Sequence, residues 1–278
     1  MQKTSKTWTG LGLSAAFAST LLVTACGSPS DGTADSAPLN VETPPPAPEA
    51  DAAPASQGGE GEGGVAIEQA LTDPVVYNAA LAITEAHILA ARDAYHAGET
   101  GPAAEMFAHP VSEVLFDMEP IFEARGVPLF DALLSETSVA ALSGETHEQI
   151  SARTDAIIAK LRDAATSAPD DGSDDTTIQA RVISDQIDRA ATMFRIAQET
   201  PEYEPYLDGY GFYIVAANQY AESQDAIRTA DPDAANKIET ALGLLAAAYP
   251  TALRPDSLSG DVSEITVAAS NVLLAVYN

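Results

Sequence analysis

Asp73-Pro74-Val75-Val76-Tyr77-Asn78-Ala79-Ala80-Leu81-Ala82-Ile83-Thr84-Glu85-Ala86-His87, running on without a break to His96-Ala97-Gly98, is the stretch whose reading decides the fold. Asp73 has the side chain of an N-cap. Pro74 follows at the first helical position, where its missing N–H and fixed φ do no harm. Val76, Ala80, Ile83, His87, Ala90 and Ala94 recur three and four apart, which is one face of a helix. Gly98 supplies the stop. The pattern predicts a helix from 74 to about 97 with an apolar stripe that carries one histidine.

The same punctuation continues along the chain. A short helix is expected after Gly101-Pro102, and another from Pro110 to the basic last turn and glycine stop of Arg125-Gly126. Further helices are expected over 128–142, 145–167 and 176–199, the last with Ile178, Val182, Ile183, Ile187, Ala190 and Phe194 at helical spacing. Tyr206 to Thr229 continues the pattern, with an irregular start around Gly209 and Gly211. Asp231-Pro232 repeats the cap-and-proline start and leads to Tyr249, and Asp261-Val262-Ser263-Glu264 opens a final helix with capping-box spacing. No segment alternates with period two, and no 20–50-residue repeat is visible. The fold class expected is all-α: an antiparallel bundle of seven or eight helices, preceded by a disordered linker.

Upstream of the bundle the chemistry changes. Lys3 and Lys6 precede an uncharged apolar run from Leu11 to Val23, which is too short for a permanent bilayer-spanning helix of ~20 residues. The run ends at Val23-Thr24-Ala25-Cys26, so residues 1–25 read as a secretory signal and Cys26, the only cysteine, sits where a bacterial lipobox would place the lipidated residue. With Gly27 after it rather than Asp, resemblance to Gram-negative sorting implies an outer-membrane anchor facing the periplasm. From 27 to 64 there is no aromatic residue, Lys or Arg, and Pro, Ala, Gly and acids dominate. Such a segment cannot offset its ordering entropy by burial, so it is expected to be a disordered tether. Residues 65–278 make one domain.

Charge excludes a class of partners. The whole chain carries 13 basic and 41 acidic residues, a formal −28; loss of Lys3 and Lys6 leaves 11 against 41, or −30. Such a surface repels nucleic acid and attracts cations. One cysteine allows no internal disulfide and no thiolate zinc site. Gly-x-Ser-x-Gly, phosphate-loop, dinucleotide and His-Glu-x-x-His signatures are absent from the sequence, so no enzyme is expected.

Three places in the domain hold ligand-type side chains. His87 lies on the buried stripe of the first helix and should point inward. His109 and Glu113 are four apart, on one side of a helix. Counted at 100° per residue, Glu113 falls roughly 140° from the centre of the Val111, Val114, Leu115, Met118, Phe122 face, so the pair is a site only if a second layer covers it. The third place is Glu202-Tyr203-Glu204-Pro205-Tyr206-Leu207-Asp208-Gly209-Tyr210-Gly211-Phe212, dense in carboxylates and phenols. Carboxylate with imidazole suits ferrous iron or zinc, and phenol suits ferric iron. His96, His147 and the acidic loop 170–175 read as solvated.

Glu85-Ala86-His87-Ile88-Leu89, the run Ala103 to Glu113 with its His109-Pro110-Val111-Ser112-Glu113, and Arg125-Gly126 resemble uncharacterised periplasmic all-helical lipoproteins. These share Gly-His-Leu, His-Pro-x-x-Glu and Glu-Tyr-Gln-Asp-Gly-x-Gly-Phe patterns. The last is also similar to a motif in the periplasmic helical segments of bacterial iron-permease and imelysin-like iron-uptake systems. Here it reads Pro205-Tyr206-Leu207-Asp208-Gly209-Tyr210-Gly211-Phe212, with two polar positions lost to Pro205 and Leu207. The resemblance implies iron or another divalent transition metal as cofactor or cargo, and an iron permease or other envelope protein as partner. His87, His109 and Glu113 are the expected ligands, with Tyr206, Asp208 and Glu204 as further ligands or the groups behind them. The competing reading is a metal-free helical interaction module tethered to the outer membrane.

Overall fold

A computed structural model describes residues 67–278; the expected signal, Cys26 and the tether lie outside the described residues. The described chain opens with a 3₁₀ turn, Ile67–Leu71, and then forms eight helices and no strand. The fold is all-α, an antiparallel helical bundle.

Helix α1 (Pro74–His96) begins as its cap dictates: Asp73 Oδ1 accepts from the N–H of Val75 at 2.7 Å and of Val76 at 3.3 Å. Every side chain from Leu81 to Ala91 is buried. Alanine makes this possible, since a helix this rich in small side chains can be approached from several sides. Helix α1 is long and apolar enough to cross a membrane, yet 83% of that window is buried inside the bundle. Its apolar character is thus accounted for by its place in the core.

Helix α2 (100–125) is one rod rather than two. Thr100–Pro110 is α-helical, Val111–Leu115 forms a π turn, and Phe116–Arg125 is α-helical again. The break expected at Pro110 is therefore a change of winding: proline has no N–H for the α ladder, and the chain widens locally instead of stopping. Gly126, at φ 70°, ends the rod as its sequence predicted.

Helix α3 (Asp131–Leu142) starts three residues later than the sequence reading, because Phe130 holds φ −138°, outside helical geometry. Helix α4 (His147–Ala165) opens with a reciprocal box, Thr146 N–H to Gln149 Oε1 at 2.8 Å and Gln149 N–H to Thr146 Oγ1 at 3.3 Å. In the acidic loop before the next helix, Asp170 and Asp171 each accept one backbone N–H at 2.9 Å, and Asp174 caps α5 (Asp175–Glu199). These carboxylates are turn-formers.

Helix α6 (Glu204–Ala230) is unbroken, so the irregular start expected around Gly209 and Gly211 does not occur. The two glycines serve contact instead. A Cβ on Gly211 would overlap the Ala86 carbonyl oxygen of α1, and one on Gly209 would overlap the Tyr249 hydroxyl. Helix α6 therefore lies backbone-to-backbone against α1, and its other side packs on α5. Helices α7 (Pro232–Ala248) and α8 (Val262–Val276) are capped by Asp231 and Asp261, each accepting two N–H groups at 2.8–3.0 Å.

Candidate metal centre

The close approach of α6 to α1, together with the π turn of α2, assembles a cluster of histidine and carboxylate side chains in the interior. His87 comes from the middle of α1. Its Nδ1 lies 2.8 Å from the Ile83 carbonyl, one turn back. A carbonyl only accepts, so Nδ1 carries the proton and Nε2 is left with its lone pair. Asp208 Oδ1 of α6 stands 3.6 Å from that Nε2 and Glu113 Oε2 of the π turn 3.7 Å. The Phe212 ring meets the imidazole edge-on at 5.8 Å and forms an apolar wall.

His109 arrives from the last α-helical turn before Pro110, its ring centroid 6.2 Å from that of His87. Its Nε2 lies 3.5 Å from Glu204 Oε1 at the start of α6. That separation is long for a hydrogen bond but close enough for the carboxylate to favour the Nε2–H tautomer. His109 Nδ1 and His87 Nε2 are both buried, and neither has a hydrogen-bond partner among the described residues. One ligand atom each from His87, His109 and Asp208 falls within 4.8 Å of the others. Two ligands of one ion with bonds of ~2.0–2.2 Å stand about 3–4 Å apart, so a small closure brings this set to ligating distance. Two imidazoles with one or two carboxylates is a donor set for ferrous iron or zinc.

Burial pushes the His87 imidazole down to about 4, and the charges of His109 and Arg189 add to this while the Ile83 carbonyl opposes it. The carboxylates 3.6 and 3.7 Å away favour the imidazolium, and burial outweighs them. His87 is therefore neutral, the form that binds a metal, over the whole ordinary pH range.

The expected residues thus fall into groups. His87, His109 and Asp208 converge, and Glu113 reaches the same imidazole nitrogen. Glu204 touches His109 from the rim, with its side chain 55% exposed. Tyr206 is placed differently. Its hydroxyl donates to the Thr251 carbonyl at 2.7 Å, its ring packs on Tyr249, and burial pushes the phenol up to about 12, which disfavours the phenolate a metal needs. Arg189 was not singled out by sequence reasoning, and Phe212 stood there as the last residue of its motif with no role assigned. Arg189 lies on α5 among ordinary core positions, and nothing local marks it. The remaining histidines, His96 and His147, are exposed at the far end of α1 and stack on each other at 4.8 Å.

Comparisons with protein-family models, curated proteins and solved structures found no match to this chain. What can be said of function rests on its own residues.

Proposed function

We propose that this chain is an envelope lipoprotein whose helical domain binds a single divalent transition metal through His87, His109 and Asp208. Glu113 is a fourth donor, and Glu204 orients His109 from behind. One observation carries the reading. Two imidazole nitrogens, His87 Nε2 and His109 Nδ1, are buried without a hydrogen-bond partner among the described residues, each on a ring whose other nitrogen faces an acceptor. Leaving a buried polar atom unsatisfied costs about 1–3 kcal/mol, so two of them in one cluster call for a ligand. Delivery of iron to an envelope permease belongs to the same proposal and rests on the motif resemblance alone.

The test is calorimetric titration of Fe(II), Zn(II) and Cu(II) into chelator-treated protein, repeated on His109→Ala and Asp208→Asn. One-to-one binding abolished in both variants is expected, and bound metal should raise unfolding stability by about 2.7 kcal/mol at a hundredfold excess over Kd. Equal binding by wild type and variants would assign the affinity to the acidic surface and leave the tethered interaction module as the reading.

A further inference from the structure

A second cleft lies on the other side of α1, walled by α1, α4, α5, α6 and the α4–α5 loop, with a volume of about 410 Å³. None of the metal-cluster side chains lines it. Glu85 lies in this cleft, 4% exposed, and its Oε1 accepts from Arg162 Nη2 at 2.8 Å. Arg162 reaches in from the rim with half of its side chain in solvent, 48%. Glu222 of α6 and, at the loop end, Asp170 and Asp175 also line the cleft, so it holds four carboxylates against one guanidinium, the latter bonded to Glu85. Between them the walls are apolar, chiefly Ile178 and Val182.

This combination selects a ligand. An anion would have to win Arg162 from Glu85 while facing the other three acids. An uncharged molecule would leave the excess negative charge as it stands. A bare inorganic cation would answer the charge but leave the apolar strip wet. A flexible chain with ammonium groups separated by methylenes answers both: its cations meet the carboxylates at floor and mouth, and its CH₂ groups cover Ile178 and Val182. The volume is within the ~300–1,000 Å³ usual for small-molecule sites. The protein's formal charge of −28 concentrates polycations around it. The chain's own segment 27–64 is a poor occupant, because it is acidic and has no Lys or Arg. We propose that this cleft binds an aliphatic polyamine, with Glu85 and Glu222 holding one ammonium and the loop acids another.

The experiment is calorimetry on the full chain after chelator dialysis, at about 0.15 M salt to screen diffuse attraction, so failure of the metal reading leaves it intact. Spermidine, putrescine, magnesium and leucine are the probes. One-to-one binding of spermidine, stronger than putrescine, is expected. Glu222→Gln should weaken it about tenfold, the effect of one partly screened charge contact. Gln179→Trp at the mouth should block it, and Glu264→Gln on α8 should leave it unchanged. Magnesium binding as tightly as spermidine, leucine binding equally well, or Glu264→Gln matching the loss in Glu222→Gln would each overturn the proposal.

Discussion

Replacing Gly211 by alanine separates two accounts of this glycine by the sign of a stability change. In a freely exposed helix interior the substitution would stabilise by about 1 kcal/mol, because alanine restricts the unfolded chain and favours helix. Here the new Cβ overlaps the Ala86 carbonyl oxygen and comes within 3.1 Å of the Ala90 Cβ. Neither obstacle is the far end of a flexible side chain; both belong to the fully buried middle of α1. Overpacking of this kind costs about 1–3 kcal/mol, and a backbone obstacle puts the cost at the upper end. Net destabilisation of about 1–2 kcal/mol follows, or a fall in Tm of about 2–8 °C for a domain of this size. Gly243 on α7 is the matched control, being exposed with nothing within 4 Å of a built Cβ. Gly243→Ala should therefore raise stability by about 1 kcal/mol. Urea unfolding followed by circular dichroism reads both changes. A Gly211→Ala protein as stable as the parent would mean that α6 does not lie on α1 as described, and the placement of Asp208 beside His87 would fall with it.

In metal-free protein, His87 has a folded pKa of about 4 against 6.5 for an exposed imidazole, so the unfolded chain takes up its proton first as pH falls. Its neutral burial contributes stability above pH 6.5 that is lost between 6.5 and 4, on the order of 3 kcal/mol at ~1.36 kcal/mol per unit. Urea midpoints across that window should drop more steeply for wild type than for His87→Gln; parallel curves would contradict the burial. Outside the described residues, Cys26→Ala should move the protein from the detergent phase to the aqueous phase in phase partitioning of cell envelopes. Retention in the detergent phase would show that the thiol is not the anchor point.

Much of the bundle was legible because its helix ends are written in side-chain chemistry. Asp73, Asp231 and Asp261 each cap the helix that the sequence assigned to them, and the inward turn of His87 followed from a stripe of apolar neighbours. Two features were not legible. The 100° count set Glu113 off the main apolar face and made a site depend on a second layer over it, and the sequence does not say that α1 supplies that layer; in the structure Glu113 ends beside His87. The meeting of Asp208 with His87 joins positions 121 apart in sequence, and it depends on how closely two helices approach. Gly209 and Gly211 were the visible trace of that approach. Single-chain reasoning took them for a kink, because the same residue type serves both ends.

The π turn also fixes how this chain can vary. Such a turn holds one residue more than an α turn, so it sets the phase between Met106 and Phe107 upstream and Met118, Ile121 and Phe122 downstream, all buried. Ser112, exposed at its surface, is free to be almost any residue. Losing it would be a different event. With the upstream half held, the remainder of the rod would turn by about 100° and carry three core side chains toward water. At position 112 natural selection would therefore tolerate misspelling far more readily than a frame-preserving deletion, and there the presence of a residue, more than its identity, is what descent has to keep.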